Sequence, residues 1–397
     1  MGHPTEPTNG VHHDHQALAK VSSFSPLTTL AGQNLLITGT TGFLAKVMLA
    51  MLLERFSCKK IYLLVRPQRS KSARERFWDE VMGSEMMEPI AKAFGPSWRA
   101  YVDEKIEVIG GDISSKSLGL DDETCKRVQA DVDVVINSAG LVNFNPPLDD
   151  ALEVNTFGAM HLAEFTRGCR KPKLVHISTC FVAGNRSGWI REDVPIAGYF
   201  PRKDELPDAV FDWKREVKDL EREIAEVKNK SDDAALESQF RKEAIERLKD
   251  EGRNPADRTV RAAITNARRR WNAEELIRRG IVRANHWGWP NIYTYSKALG
   301  EQAIATQEGL EWCIVRPAIV ESSLVYPFPG WNEGMNTSAP LAYLGINGHV
   351  VFPSGPDLIL DVVPVDFVAS ATIAAAAALL DGETGKVYQV ATGDVNP

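Results

Sequence analysis

From Asn34 to Val182, short apolar runs alternate with longer segments in which apolar residues recur at helical spacing. The runs at 34–38, 60–65, 105–110, 132–137 and 173–178 are rich in Val, Ile and Leu and read as buried strands. Between them, segments such as Val47 to Phe56 and Leu152 to Phe165 read as amphipathic helices. That rhythm predicts an α/β fold, a Rossmann-type doubly wound parallel sheet with helices on both faces.

Beyond residue 201 the pattern changes. Of the 82 residues from Arg202 to Arg283, 21 are basic and 19 acidic. Apolar positions recur at Val217, Leu220, Ile224 and Val227, then Leu236, Phe240, Ile245 and Leu248, then Val260, Ile264, Trp271 and Leu276. Gly252 and Pro255 interrupt the series. This spacing predicts an insertion of helices, each with a narrow buried stripe and a solvated face. Near the other end, the alanine-rich run from Phe367 to Leu380 is too short to cross a bilayer and reads as a buried helix.

Composition narrows the class. The net charge is −7, from 46 basic and 53 acidic residues, which gives no reason to expect a nucleic-acid partner. The five cysteines (58, 125, 169, 180 and 313) form no Cys-x-x-Cys pair and fit a reducing cytosol. The polar start carries His12, His13 and His15 and does not read as a signal peptide. Residues 1–30 are expected to form a solvated, disordered tail, and no metal site is expected.

Two elements carry the candidate chemistry. The first is Leu35-Leu36-Ile37-Thr38-Gly39-Thr40-Thr41-Gly42-Phe43-Leu44-Ala45, where a strand breaks into glycines and runs into a helix. In that context Gly39 serves a sharp turn and Gly42 a close approach of the backbone to a pyrophosphate, held at the helix N-terminus. Thr40, Thr41, Phe43 and Leu44 belong to the same loop. At the end of the second strand stands Arg66, followed by Arg69, Lys71 and Arg76. An acidic residue there would hold the ribose of NAD, whereas a guanidinium grips a 2′-phosphate, so NADPH is the expected cofactor. Asp112 and Ile113 end the third strand, where the carboxylate is placed to accept from an adenine amino group. Asn137, Ser138 and Ala139 end the fourth, small enough to let a dinucleotide lie against the sheet.

The second element is Tyr293-Thr294-Tyr295-Ser296-Lys297 with Thr179. Tyrosine titrates near 10, and a lysine one helical turn on favours its phenolate. A hydroxyl from Thr179 would hold a substrate oxygen beside the phenol; Ser178 is the alternative. Asn291 is a plausible cap for this helix, and Leu299 and Ile304 supply its apolar contacts. Cys180 raises an acyl-cysteine route with His176 as its base, but the Tyr–Lys pair does acid chemistry such a route does not require, and a packed cysteine is favoured.

Taken together, Thr38-Gly39-x-x-Gly42-x-x-Ala45, Asn155 in Val154-Asn155-Thr156-Phe157-Gly158, and Tyr293-x-x-x-Lys297 resemble the extended short-chain dehydrogenases. More narrowly, the chain resembles a bacterial fatty acyl-CoA reductase of the alcohol-forming kind. Val135-Ile136-Asn137-Ser138-Ala139, Ile177-Ser178-Thr179-Cys180-Phe181-Val182, Ile314-Val315-Arg316-Pro317-Ala318-Ile319-Val320-Glu321-Ser322 and Asp361-Val362-Val363-Pro364-Val365-Asp366 carry that likeness from about residue 30 onward. It departs at Ala45, where the family usually has glycine. The resemblance implies NADPH-dependent reduction of a long-chain fatty acyl-CoA to the aldehyde and on to the primary alcohol, with release of CoA. It implies Thr179, Tyr293 and Lys297 as catalytic residues, and adds Tyr293, Lys297, Pro317 and Ile319 to the cofactor contacts.

Aldehyde-forming thioester reduction, or a sugar-nucleotide or steroid dehydrogenase on the same fold, is the alternative. A non-catalytic module that recruits a partner is opposed by the intact Thr–Tyr–Lys set. The implied organisation is a dinucleotide-binding domain over 31–200, the insertion over 202–283, and the catalytic helix, last strands and a small substrate-binding region over 284–397. Relatives continue past Asn396-Pro397 into a C-terminal domain. The insertion reads either as a lid over a long acyl chain or as a helical addition that only packs on the core. A cytoplasmic location is expected, with peripheral contact of the insertion with a membrane surface as part of the lid reading.

Overall fold

The computed structural model describes residues 24–252, 257–334, 339–349, 351 and 359–393. Of the tail expected over 1–30, residues 1–23, with His12, His13 and His15, lie outside the described residues, as do Pro255 and Asn396-Pro397; its last part is ordered instead, since Pro26–Thr29 form a helical turn and Leu30 is fully buried in the core.

The elements that frame the site are, in chain order, β1 (Asn34–Thr38), α1 (Phe43–Arg55), β2 (Lys60–Val65), β3 (Ile106–Gly110), β4 (Val134–Asn137), α2 (Gly158–Arg167) and β5 (Lys173–Ile177). The insertion follows as α3 (Trp213–Ser231), α4 (Ala234–Asp250) and α5 (Asp257–Trp287). Then come α6 (Ile292–Ala305), β6 (Glu311–Pro317), β7 (Ile319–Glu321), β8 (Val362–Pro364), α7 (Val365–Leu380) and β9 (Lys386–Val390). Seven strands form one sheet in the order β3-β2-β1-β4-β5-β6-β9. Every pairing in it is parallel. The direction of winding reverses between β1 and β4, so a crevice opens at their carboxyl ends, where ligands bind in such sheets.

Alternation along the strands assigns the two faces. Leu35, Ile37, Val134, Ile136 and Val175 enter the core shared with α1 and α7. Leu36, Val135 and Leu174 enter the opposite core, against α2. Burial on both faces is why these strands read as continuous apolar runs rather than alternating ones.

Helix α1 departs from the amphipathic expectation: every residue from Ala45 to Leu53 is buried. It lies between the sheet and other helices, including α7, so it has no solvated face. Its only charge in that stretch, Lys46, pairs with Glu333. Ala45 is buried within the intact helix. The segment 152–165 departs too, since it opens with a π-helical turn over Leu152–Phe157 before α2 begins.

The insertion forms helices with the stripes the spacing predicts. Val217, Leu220 and Val227 of α3, Phe240 and Leu248 of α4, and Val260 and Leu276 of α5 are buried. Asp212 caps α3 through the N–H of Lys214 at 2.9 Å. A third core joins α3 and α5 to Ile292, Tyr295, Ala298 and Leu299 of α6. The insertion therefore packs directly on the helix that carries Tyr293 and Lys297.

Candidate active site

The loop after β1 turns at Gly39, whose φ is +75°. A Cβ at Gly39 would lie 2.6 Å from the Ala139 nitrogen, so the backbones after β1 and β4 pass too close for any side chain there. Thr38 Oγ1 donates to Asn137 Oδ1 at 2.7 Å, tying the two strand ends together. Gly42 then starts α1 with no side-chain cap and no acidic residue in the first turn. The helix N-terminus thus keeps its N–H groups and positive dipole end for an anion.

This N-terminus opens into a cleft of about 480 Å³. Of the residues expected to bind cofactor, Gly39, Thr40, Thr41, Gly42, Arg66, Arg76, Asp112, Ile113, Ser138 and Ala139 line it. Thr40 Oγ1 is buried there with no partner among the described residues. An open helix end and an orphaned hydroxyl facing one crevice fit the phosphates of a dinucleotide.

At the adenosine end, Arg66 is 67 % exposed in its side chain and stands 3.6 Å from Asp112 Oδ2. Arg76 lines the cleft but its guanidinium is engaged elsewhere, donating to Glu80 at 3.0 and 2.6 Å and to the Arg66 carbonyl at 2.5 Å. Arg76 therefore supports Arg66 from behind, which leaves Arg66 to face a ligand. Lys71 pairs with Asp79 at 2.8 Å. Phe43 stacks on Trp331 at 5.1 Å, and Leu44 packs into the core, both outside the cleft lining. Pro317 ends β6, and Ile319 donates its N–H to the Asp361 carbonyl at 3.0 Å.

Gly140 joins the cleft to α6. A Cβ there would sit 3.4 Å from Asn155 Oδ1 and 3.6 Å from Lys297 Nζ. Asn155 clamps the loop in both directions, accepting from the Leu141 N–H at 2.9 Å and donating to its carbonyl at 3.0 Å. It also donates to Ser296 Oγ of α6 at 3.0 Å. The π turn holding Asn155 is of the kind often found at functional sites.

Helix α6 starts as its cap predicts, with Asn291 Oδ1 accepting from the Thr294 N–H at 2.9 Å. The structure brings Thr179, Tyr293 and Lys297 to one place at the end of β5. The Thr179 hydroxyl lies close enough to the Tyr293 phenol to act on its titration, whereas the Ser178 hydroxyl is buried without a partner among the described residues. Lys297 is buried and donates to the Ile177 carbonyl at 2.6 Å. Burial lowers its ammonium to about 8, opposed by the Glu301 carboxylate.

Tyr293 is pushed by burial up to about 12, and the nearby Thr179 hydroxyl only partly offsets this. The expectation that Lys297 favours the phenolate is thereby corrected. Burial dominates, the lysine points its amine at a backbone carbonyl, and the phenol stays protonated at neutral pH. A protonated phenol is suited to donate, which is what reduction of a carbonyl needs.

Cys180 donates to the Arg316 carbonyl at 2.9 Å, and burial raises its thiol to about 12. His176 Nδ1 lies 3.0 Å from Asn137 Nδ2, so the two supply no thiolate–imidazole pair. Burial, with help from Lys297, holds His176 well below its ordinary range. An imidazole kept neutral in the fold contributes stability that is full above about 6.5, its unfolded value, and is lost as pH falls below it. Melting temperature should therefore drop between pH 7 and 5, and His176→Gln should flatten that drop. Lys297 titrates outside this window. Equal slopes for both proteins would refute the assignment.

Two contacts around α6 were poorly visible in the sequence. Asn155 entered only through a family likeness, because its clamp depends on a π turn that a regular helical period hides. Glu216 of α3, buried against α6, was invisible because nothing in its local pattern points to Tyr295.

Among the described residues no helix is long and apolar enough to cross a membrane, and no group of three or more His, Cys, Asp or Glu is gathered to hold a metal ion.

A parallel sheet wound in this order, with a dinucleotide-sized crevice at its switch point, defines an extended short-chain-dehydrogenase-like fold that binds a nicotinamide cofactor. The profile of the NAD_binding_4, male sterility protein family matches residues 37–372, and the chain belongs to that family. It is 31 % identical over 381 residues to the alcohol-forming fatty acyl-CoA reductase of Simmondsia chinensis, covering 94 % of this chain and 69 % of the relative. It is 32 % identical over 384 residues to the chloroplastic fatty acyl-CoA reductase 2 of Arabidopsis thaliana, covering 94 % of this chain but 56 % of that one. Among solved structures, the terminal R domain of the myxalamid PKS-NRPS pathway superposes with a TM-score of 0.57 at 20 % identity, covering 91 % of this chain and 66 % of that one. A nonribosomal peptide synthetase R domain from Mycobacterium tuberculosis gives 0.53 at 19 % identity, covering 96 % and 71 %. At that identity these two share the fold.

Proposed function

We propose that this oxidoreductase uses NADPH to reduce the thioester carbonyl of a long-chain fatty acyl-CoA, releases CoA, and reduces the aldehyde further to the primary alcohol. The observation that carries the reading is a Tyr293 desolvated by burial, beside Thr179 and backed by Lys297, next to a dinucleotide-sized cleft. The curated names of the two plant relatives support the substrate class.

NADPH, when bound, supplies hydride. The α1 N-terminus and Thr40 would hold its phosphates, Arg66 its 2′-phosphate, and Lys297 its ribose. The Thr179 and Tyr293 hydroxyls receive the substrate carbonyl oxygen. As hydride adds to the carbonyl carbon, negative charge grows on that oxygen, and Tyr293 stabilises it. The carbonyl re-forms, the C–S bond breaks and the CoA thiolate leaves to be protonated, giving the aldehyde. In the second round the carbonyl oxygen becomes an alkoxide, and Tyr293 delivers the proton that makes the alcohol.

Oxidation of NADPH measured with palmitoyl-CoA, a UDP-sugar and a steroid in parallel tests the substrate class; activity confined to either of the last two would overturn it. The cofactor assignment has its own test. Arg66→Ala should weaken NADPH by on the order of 1.5–3 kcal/mol, the strength of a hydrogen bond to a charged group, and leave NADH nearly unaffected. Equal loss for both would remove Arg66 from the 2′-phosphate site.

A further inference from the structure

Glu216 of α3 is 3 % exposed, an unusual place for a carboxylate. Its oxygens accept from Arg283 Nε at 2.6 Å and Nη2 at 2.7 Å, and from Trp287 Nε1 at 2.9 Å, both donors on α5. The fourth donor is the hydroxyl of Tyr295, a fully buried side chain on α6. One carboxylate from the insertion is thus saturated by two of the insertion's own side chains and by one from the catalytic helix.

Tyr295 lies two residues after Tyr293 and two before Lys297. At about 100° per residue it projects from roughly the opposite side of α6 to that pair. The front of the helix is held by Asn155 on Ser296 Oγ at 3.0 Å and Thr156 on the Ser296 carbonyl at 3.0 Å. Apolar packing around Tyr295, including Trp289 at 5.3 Å, fills space behind it. Such packing resists separation; rotation of the helix about its axis is resisted by directional bonds, on this side the one from Tyr295 to Glu216 and, two turns on, those of Gln302 with the Gly198 N–H at 2.9 Å and the Tyr199 carbonyl at 3.0 Å. Rotation is the motion that would swing the Tyr293 hydroxyl away from Thr179.

We infer that Glu216 is a positioning residue for the reaction: it locks the rotation of α6 through Tyr295, so that the insertion acts as a clamp on the back of the catalytic helix. The inference rests on Tyr293 being the proton donor.

Tyr295→Phe removes a single oxygen and leaves the Glu216–Arg283–Trp287 contacts in place; Glu216→Gln removes the charge. For each, kcat and KM with palmitoyl-CoA, NADPH affinity by fluorescence titration, and melting temperature are compared with wild type. A misplacement of the order of 1 Å lowers rate by as much as about 100-fold, so kcat should fall about 10–100-fold while KM and NADPH affinity hold within about threefold. The double variant should lose no more than the worse single one, because both break the same contact. A kcat within about threefold of wild type in folded Tyr295→Phe overturns the inference. So does a parallel loss in kcat and NADPH affinity, which would mark general loosening. Should Glu216→Gln fail to fold, Tyr295→Phe decides alone. Full activity in Tyr293→Phe would instead overturn the proton-donor reading and this inference with it, whereas an inactive Tyr293→Phe beside an unimpaired Tyr295→Phe overturns only the clamp.

Discussion

Tyr293→Phe is expected to lower turnover of palmitoyl-CoA by about 10²–10⁴-fold, the usual contribution of a positioned acid, with NADPH affinity nearly unchanged. The phenol is the group beside Thr179, and burial raises its titration so that it stays protonated. The dinucleotide cleft is lined by other residues, so removing one oxygen from α6 leaves it intact. Cys180→Ala is the matching control: its thiol donates to the Arg316 carbonyl at 2.9 Å and stays protonated, so activity should persist. Rapid-mixing measurement of NADPH oxidation for both variants separates the two routes. An active Tyr293→Phe beside a dead Cys180→Ala would transfer the chemistry to the cysteine.

Gly39→Ala should abolish cofactor binding and destabilise the fold together. The left-handed backbone at φ +75° costs an L-residue about 1–2 kcal/mol by itself. The added carbon also meets the Ser138 carbonyl carbon at 2.6 Å and its oxygen at 2.7 Å, and backbone atoms cannot swing aside as a side chain can. Relief requires the loops after β1 and β4 to part, which widens the floor on which the pyrophosphate rests. Gly32 isolates the two effects, since its φ is +71° with nothing within 4 Å of an added Cβ. Gly32→Ala should therefore show the modest stability loss and keep full NADPH affinity. If Gly39→Ala behaves like Gly32→Ala in thermal melts and binding titrations, the close approach does not shape the site.

Much of this was legible because local signals and tertiary needs coincide. The strands at 34–38 and 60–65 emerge with the bounds their apolar runs predict, since parallel strands buried on both faces leave no alternation to misread. The stripes at Val217, Leu220 and Val227 and at Phe240 and Leu248 point inward as their spacing implies. Sequence reasoning erred where an element's surroundings decide. Helix α1 reads as amphipathic until its second face is covered by helices remote in sequence. The phenolate expectation for Tyr293 followed from the i, i+4 lysine, but burial acts more strongly on both groups than they act on each other. Glu216 and Tyr295, 79 residues apart, meet only once α3 docks on α6.

The most direct test of the central claim follows the hydrogen itself. The protein is incubated with palmitoyl-CoA and NADPH deuterated at both C4 positions, and the products are analysed by mass spectrometry alongside a thiol assay for free CoA. CoA release matched by hexadecanal carrying one deuterium at C1, or hexadecanol carrying two, is expected. Free CoA appearing with palmitic acid and no deuterium in any product would contradict the claim, because the thioester would then have been hydrolysed rather than reduced.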